Sequence, residues 1–176
     1  AFFSAAGDMV NSMVVHNEET DEDDLIGYDE SLAPSLFVFK TIADPFVGRI
    51  SLFKVCTGSI RTGITLFNVQ KKEAEKINKL YVMKGKDLIE TDCLYAGDIG
   101  ALSKLSYTQT NDTLCTLDYR MTYETILFSK PYYGKAIKPV GKANEEKITN
   151  AINKLLEEDK TLKFENNPET KQQCIY

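Results

Sequence analysis

FVFKTIADPFVGRISLFKVCTGSIRTG, residues 37–63, decides the fold class. Two β-type runs, residues 36–42 and 49–55, flank Ala43-Asp44-Pro45-Phe46-Val47-Gly48. Pro45 fixes φ and supplies no N–H, and Gly48 is free to take positive φ, so the six residues form a tight connection. In the second run Ile50 and Leu52 alternate with Arg49 and Ser51, and the apolar phase then moves to Phe53 and Val55. A one-residue slip of phase predicts a β-bulge, which bends a sheet towards closure into a barrel. Thr57-Gly58 and Thr62-Gly63 bracket a short link into the next apolar run, residues 64–69.

Outward from this stretch the chain keeps the same rhythm as far as Ile126. Short β-type runs alternate with Gly, Asn, Asp and Ser turns, a spacing that predicts a closed β barrel. One segment contests it. Ala74, Ile77, Leu80 and Met83 recur at a helical interval with good helix formers between them, and read alone the segment is a helix. After Pro131 the pattern changes. Residues 135–139 are a short strand candidate. Ile148, Ala151, Ile152, Leu155 and Leu156 then lie on one stripe of a helix that Asn144 can cap, with Glu145 and Glu146 suited to its N-terminal dipole. Residues 161–165 return as a strand and 166–169 turn into residues 172–176. This βαββ order is the first part of a ferredoxin-like α+β domain.

The charge is divided unevenly. The net charge is −5, yet residues 1–35 hold nine acids and no Lys or Arg, which leaves +4 on residues 36–176. Residues 16–35 therefore read as a flexible acidic linker, and residues 2–15 as a short helix before it. The pI of the whole chain argues against a nucleic-acid partner, whereas the folded part does not. No run approaches the roughly 18 apolar residues that span a bilayer. The start lacks a basic signal-peptide region. A cytoplasmic protein is the simplest reading, with neither membrane nor DNA as a partner.

Catalytic chemistry is scarce. Cys56, Cys93, Cys115 and Cys174 are far apart, none forms CxxC, and His16 is the single histidine, so no metal set is assembled. A nucleophile would lack a base, because His16 lies in the expected linker. Glu157, Glu158 and Asp159 read as solvating a helix end. A phosphate-wrapping G-x-x-x-x-G-K-[ST] loop is not formed: before Gly141-Lys142 the required glycine is Ala136, and Ala143 follows. Binding chemistry remains. Lys71 and Lys72 sit in a polar turn, Arg61 in the link 58–63, and Arg49 and Lys54 along one strand, where cations can neutralise phosphates without reading sequence. An ordinary solubilising surface uses the same residues. An enzyme reading also stays open, a small β barrel with a reactive Cys56, which needs a nearby cation or helix N-terminus.

Residues 37–63 closely resemble the start of the second domain of elongation factor G and its relatives among the translational GTPases. Tyr95-Ala96-Gly97-Asp98-Ile99 is similar to the family's YAGDI turn, and Asn111-Asp112-Thr113-Leu114-Cys115 to its GDTLC segment, with Asn for Gly. Residues 155–161, LLEEDKT, resemble LxEEDPT of the third domain, with Lys160 for Pro. Met83-Lys84-Gly85 departs from a usual Met-His-Ala. The resemblance covers residues 36–176. It implies a remnant of a GTPase domain and an acidic linker over residues 1–35, a closed barrel over 36–126, and an incomplete ferredoxin-like domain over 127–176. The chain would then be a fragment of a longer protein. It also implies that residues 74–83 are strand. No cofactor is expected in this chain, and GTP and magnesium are implied for the parent. The implied partners are small-subunit ribosomal RNA, with Arg61, Lys71 and Lys72 as contacts, and the parent's own GTPase and remaining domains. A tetracycline-resistance ribosomal protection protein is the alternative parent.

Overall fold

The structure, a computed structural model, describes residues 13–138, 145–168 and 172–176. Its first strands are β1 (Met13–Asn17), β2 (Glu22–Ile26), β3 (Ser35–Asp44), β4 (Gly48–Thr57), β5 (Ser59–Arg61), β6 (Thr65–Asn68), β7 (Glu73–Lys76) and β8 (Leu80–Lys84). Then come β9 (Asp87–Thr91), β10 (Cys93–Tyr95), β11 (Ile99–Ser103), β12 (Thr113–Cys115), β13 (Met121–Tyr123) and β14 (Lys135–Ile137). The helix α1 (Glu145–Glu158) precedes β15 (Phe164–Asn167) and β16 (Gln172–Ile175). Residues 1–126 and 127–176 form two separate units.

The hairpin of β3 and β4 is built as its turn residues dictate. The Asp44 carboxylate accepts the N–H groups of Phe46 and Val47 at 2.8 and 2.7 Å, and Gly48 closes the turn at φ 88°. The predicted bulge is present, but its extra residue is Phe39 on β3. Pairing steps from Val38–Phe53 to Lys40–Leu52, so the slip at Leu52 and Phe53 is the partner's side of it. Gly58 lies just beyond β4 at φ 65°, where a Cβ would meet the Leu32 carbonyl oxygen at 2.6 Å and Pro34 at 2.8 Å. Only glycine tolerates both the backbone conformation and the approach.

The main sheet runs β7-β6-β12-β3-β4-β11-β8-β9, and β5 pairs with β10 in a separate ribbon. Among the described residues no ladder joins the outer strands β7 and β9 directly. The link after β5 meets both ends instead. Thr62 donates to the Asp92 carbonyl at 3.2 Å, Gly63 to Ile77 at 2.7 Å, and Ile77 to Ile64 at 2.8 Å. Leu36, Val38, Phe53, Val55, Ile60, Leu66, Leu80, Leu102 and Leu114 are buried together as the core of this unit. Each such side chain contributes roughly 1.5–3 kcal/mol by leaving water.

Two expectations are corrected here. Residues 16–35 are not a flexible linker, since most of the acidic stretch forms a hairpin in which β1 pairs with both β2 and β13. Val15 and Ile26 turn inward against Met121 and Tyr123, and the acids stay in solvent. Two inward apolar residues suffice when a third strand supplies the rest of the cluster. The Asn17 side chain fixes the turn by accepting from Glu19 at 2.9 Å, and Asp21 takes φ 56°. The helix expected over residues 2–15 lies largely outside the described residues, and residues 13–15 belong to β1. Residues 74–83 are β structure without helix, yet they form parts of two strands. β7 pairs with β6, and β8 pairs with β9 and β11. Ile77, 1% exposed, sits between them with its backbone held by the link.

In the second unit β16 lies between β14 and β15, antiparallel to both. With α1 joining β14 to β15, this is a split β-α-β arrangement. Ile152 on α1 is 4% exposed, the one buried apolar residue among those described in this unit. The expected cap Asn144 lies outside the described residues. The strand expected at 161–165 begins later, at Phe164, and residues 166 and 167 extend it.

Candidate functional site

The turn between β6 and β7 is the best-built feature that carries free cations. Asn68, fully buried, accepts from the Lys71 N–H through its side-chain oxygen at 2.9 Å, and its carbonyl accepts from Lys72 at 2.8 Å. Its amide donates inward to Asp112 at 2.9 Å and to the Thr108 hydroxyl at 3.2 Å. Thr108 in turn donates its hydroxyl and its N–H to Glu75, both at 3.0 Å. Glu75 also accepts from Tyr107 at 2.7 Å and Ser106 at 3.2 Å. A buried polar frame therefore ties the hairpin to residues 106–112. Such a frame is rigid when every member is satisfied, and among the described residues no buried side-chain polar atom lacks a partner.

Lys71 and Lys72 stand at the tip of this frame, both exposed, Lys72 at φ 59°. Neither ammonium has an ion-pair partner among the described residues. Arg61 ends β5 and is also exposed. It is not brought to the lysines. β6 lies between them, and its strand rise alone separates the two ends by roughly 10 Å. The structure adds a cation that sequence reasoning missed. The Arg120 guanidinium lies 5.5 Å from the Phe67 ring centre, one residue before Asn68. The pairing of β12 with β6, Cys115 opposite Phe67, brings this region of the chain onto β6. No local pattern in the sequence signals that meeting.

Arg49 and Lys54 are corrected. They do not project as a pair of free cations. Arg49 donates to the carbonyls of Leu105 and Ser106, the latter at 3.0 Å. The Lys54 ammonium lies 4.4 Å from the Tyr28 ring centre, a cation–π contact. His16 is not a linker residue but sits in β1, its ring nitrogens facing Asp23 at 2.9 Å and Asp21 at 3.4 Å. These contacts, led by the hydrogen bond to Asp23, raise its pKa.

The reactive-cysteine reading finds the wrong environment at Cys56. The residue is 2% exposed, and burial pushes its thiol up to about 11, with only partial offset from Tyr123 and Lys54. A reactive cysteine needs the opposite shift. Asp159, beyond α1, accepts from the Thr161 N–H at 2.9 Å and its hydroxyl at 2.6 Å, closing a turn. Among the described residues no group of His, Cys, Asp and Glu is placed to hold a metal ion. None of their helices is long and apolar enough to cross a membrane.

Residues 33–117 match the family model for elongation factor G domain 2, and residues 128–176 match that for elongation factor G domain III. Elongation factor G from Orientia tsutsugamushi, strains Boryong and Ikeda alike, is 38% identical over 141 residues. The match covers 80% of this chain and 20% of the relative, so the chain spans about a fifth of the length of these curated proteins. A crystal structure of a Thermus thermophilus protein superposes with a TM-score of 0.73 at 27% identity, covering 82% of this chain and 22% of that one.

Proposed function

The chain is elongation factor G-like, matching domain 2 over residues 33–117 and domain III over residues 128–176, and from that premise we propose that it docks a translational GTPase on small-subunit ribosomal RNA. The observation that carries the reading is the pair Lys71 and Lys72, cations with no ion-pair partner among the described residues, on a turn whose backbone is held by buried Asn68. Cations fixed in this way neutralise phosphates without reading bases, and each phosphate neutralised steepens the salt dependence of binding. Arg120, over Phe67, adds charge beside the turn, while Arg61 serves a separate contact.

In this reading the first unit is a closed barrel, its outer strands joined through the Thr62–Asp92 and Gly63–Ile77 hydrogen bonds of the link. The second is a ferredoxin-like domain that meets the parent's other domains. GTP and magnesium belong to a GTPase domain of the parent, in the cytoplasm.

The test is pelleting with small ribosomal subunits at several salt concentrations. Replacing both Lys71 and Lys72 by Ala lowers the slope of log affinity against log salt by about 1.5, at roughly 0.7–0.9 per phosphate. Identical slopes remove the two lysines from the contact, and no pelleting at low salt removes the docking role.

A further inference from the structure

A second concavity of the first unit has a composition that the lysine turn lacks. The β3–β4 turn, the connection from β7 to β8 and the end of β11 enclose a groove of about 490 Å3 lined by Phe46, Asn78, Lys79, Tyr81 and Lys104 among others. Phe46 is 95% exposed. Its ring is presented by a built turn, since Asp44 holds the N–H groups of Phe46 and Val47. Lys104 is held at φ 61°, its N–H directed to the Arg49 carbonyl at 3.3 Å, and Arg49 pins the next two carbonyls. The Lys104 ammonium has no ion-pair partner among the described residues. Lys79 shares its charge with Glu90 at 3.0 Å. Glu90 is paired with Lys79, and the Asp44 carboxylate is directed into its own turn by the N–H groups of Phe46 and Val47.

Two aromatic rings, an amide and an unpaired ammonium in one groove match the parts of a nucleotide. A base stacks on an exposed ring, its edge meets the donor and acceptor of Asn78, and its phosphate meets Lys104. The volume lies within the ~300–1,000 Å3 that ligand sites usually enclose. An apolar peptide would leave Lys104 unused, and an acidic one would leave the ring faces unused.

We infer that this groove seats one unstacked nucleotide of a single-stranded RNA segment. The inference rests on the RNA-docking reading and adds a base-stacking contact to its phosphate contacts. The groove lies at the opposite end of β7 from Lys71 and Lys72, so one strand of RNA following β7 reaches both.

The probe is a hexa-adenylate RNA, titrated into the 15N-labelled chain with amide shifts followed, in parallel with small-subunit pelleting. Amides around Phe46, Tyr81 and Lys104 shift. Phe46→Ala weakens hexanucleotide binding by about tenfold, as expected for loss of one stacking contact. Lys104→Ala lowers the salt slope by about 0.7. Both side chains are on the surface, and unchanged amide spectra elsewhere verify the fold. No shift with hexa-adenylate, shifts gathered only at Lys71 and Lys72, wild-type affinity and salt slope in both variants, or equal shifts from a hexaglutamate peptide would each overturn the inference. Failure of the wild-type chain to pellet with small subunits instead refutes the docking reading, whatever the hexanucleotide result.

Discussion

Replacing Glu75 by Ala removes the acceptor for the N–H groups of Ser106, Tyr107 and Thr108 and for the Thr108 hydroxyl. Ser106 and Tyr107 are exposed residues, so water takes over part of their bonding. Thr108 is 0% exposed and Glu75 5%, so water does not reach the two donors of Thr108 without opening the fold. A buried donor left unmade costs about 1–3 kcal/mol. Two of them, with some relaxation, bring the loss to about 3 kcal/mol, a large share of a typical stability of about 5–15 kcal/mol. With a urea slope of about 2 kcal/mol/M, the unfolding midpoint falls by about 1.5 M. Glu75→Gln keeps one acceptor oxygen for Tyr107 and Thr108 and points an amide donor at Ser106, so its loss is about 1 kcal/mol. Urea titration followed by circular dichroism gives both numbers, and hydrogen exchange locates the damage at residues 106–108. An Ala variant within about 1 kcal/mol of the parent would refute the view that this carboxylate holds the frame.

Gly58→Ala forces a Cβ against the Leu32 carbonyl at positive φ and loses at least about 3 kcal/mol, whereas Gly63→Ala, at φ 86° in open space, loses about 1 kcal/mol. Equal midpoints in thermal melts of the two variants would contradict the close approach. His16 carries a pKa raised above 6.5 through Asp23, so its contribution to the β1–β2 hairpin is complete below that value. It is lost as pH rises through the raised folded pKa, and exchange of the β1 amides, corrected for intrinsic rate, accelerates as pH rises above 6.5 in the wild-type chain but not in His16→Gln. Residues 127–176 bury one apolar side chain among those described, against the large core of the first unit. Their amides should exchange faster than those of β3, β4 and β11, and equal protection would show a stability that burial does not account for.

The parts of the fold legible in sequence are those set by local chemistry. Asp44, Pro45 and Gly48 announce the hairpin, and the slipped phase at Leu52 and Phe53 announces its bulge. The stripe from Ile148 to Leu156 announces α1. The parts that were not legible depend on partners distant in the chain. Val15 and Ile26 fold an acidic stretch only because Met121 and Tyr123 receive them. The helical interval in residues 74–83 yields to sheet because Ile77 fills the core and pairs with the link at Gly63 and Ile64. For the candidate site, Lys71 and Lys72 stand where turn chemistry places them. The engagement of Arg49 with Leu105 and Ser106, and the meeting of Arg120 with Phe67, arise from strand neighbours that no short motif records.

The frame beneath the lysine turn also bears on how such a sequence can change over generations. Asn68, Thr108, Asp112 and Glu75 are bonded in one buried chain, so exchanging any one for an apolar residue strands the polar atoms of the others. Replacing all four by apolar residues still strands the buried Thr108 N–H that Glu75 accepts, so the step away from the present set is uphill whether taken singly or together. Lys71 and Lys72 lie outside that chain of side-chain bonds, and both are exposed. Mutation therefore finds a locked base and an open tip. The charge displayed at the turn can be retuned one residue at a time while the backbone that presents it stays where it is.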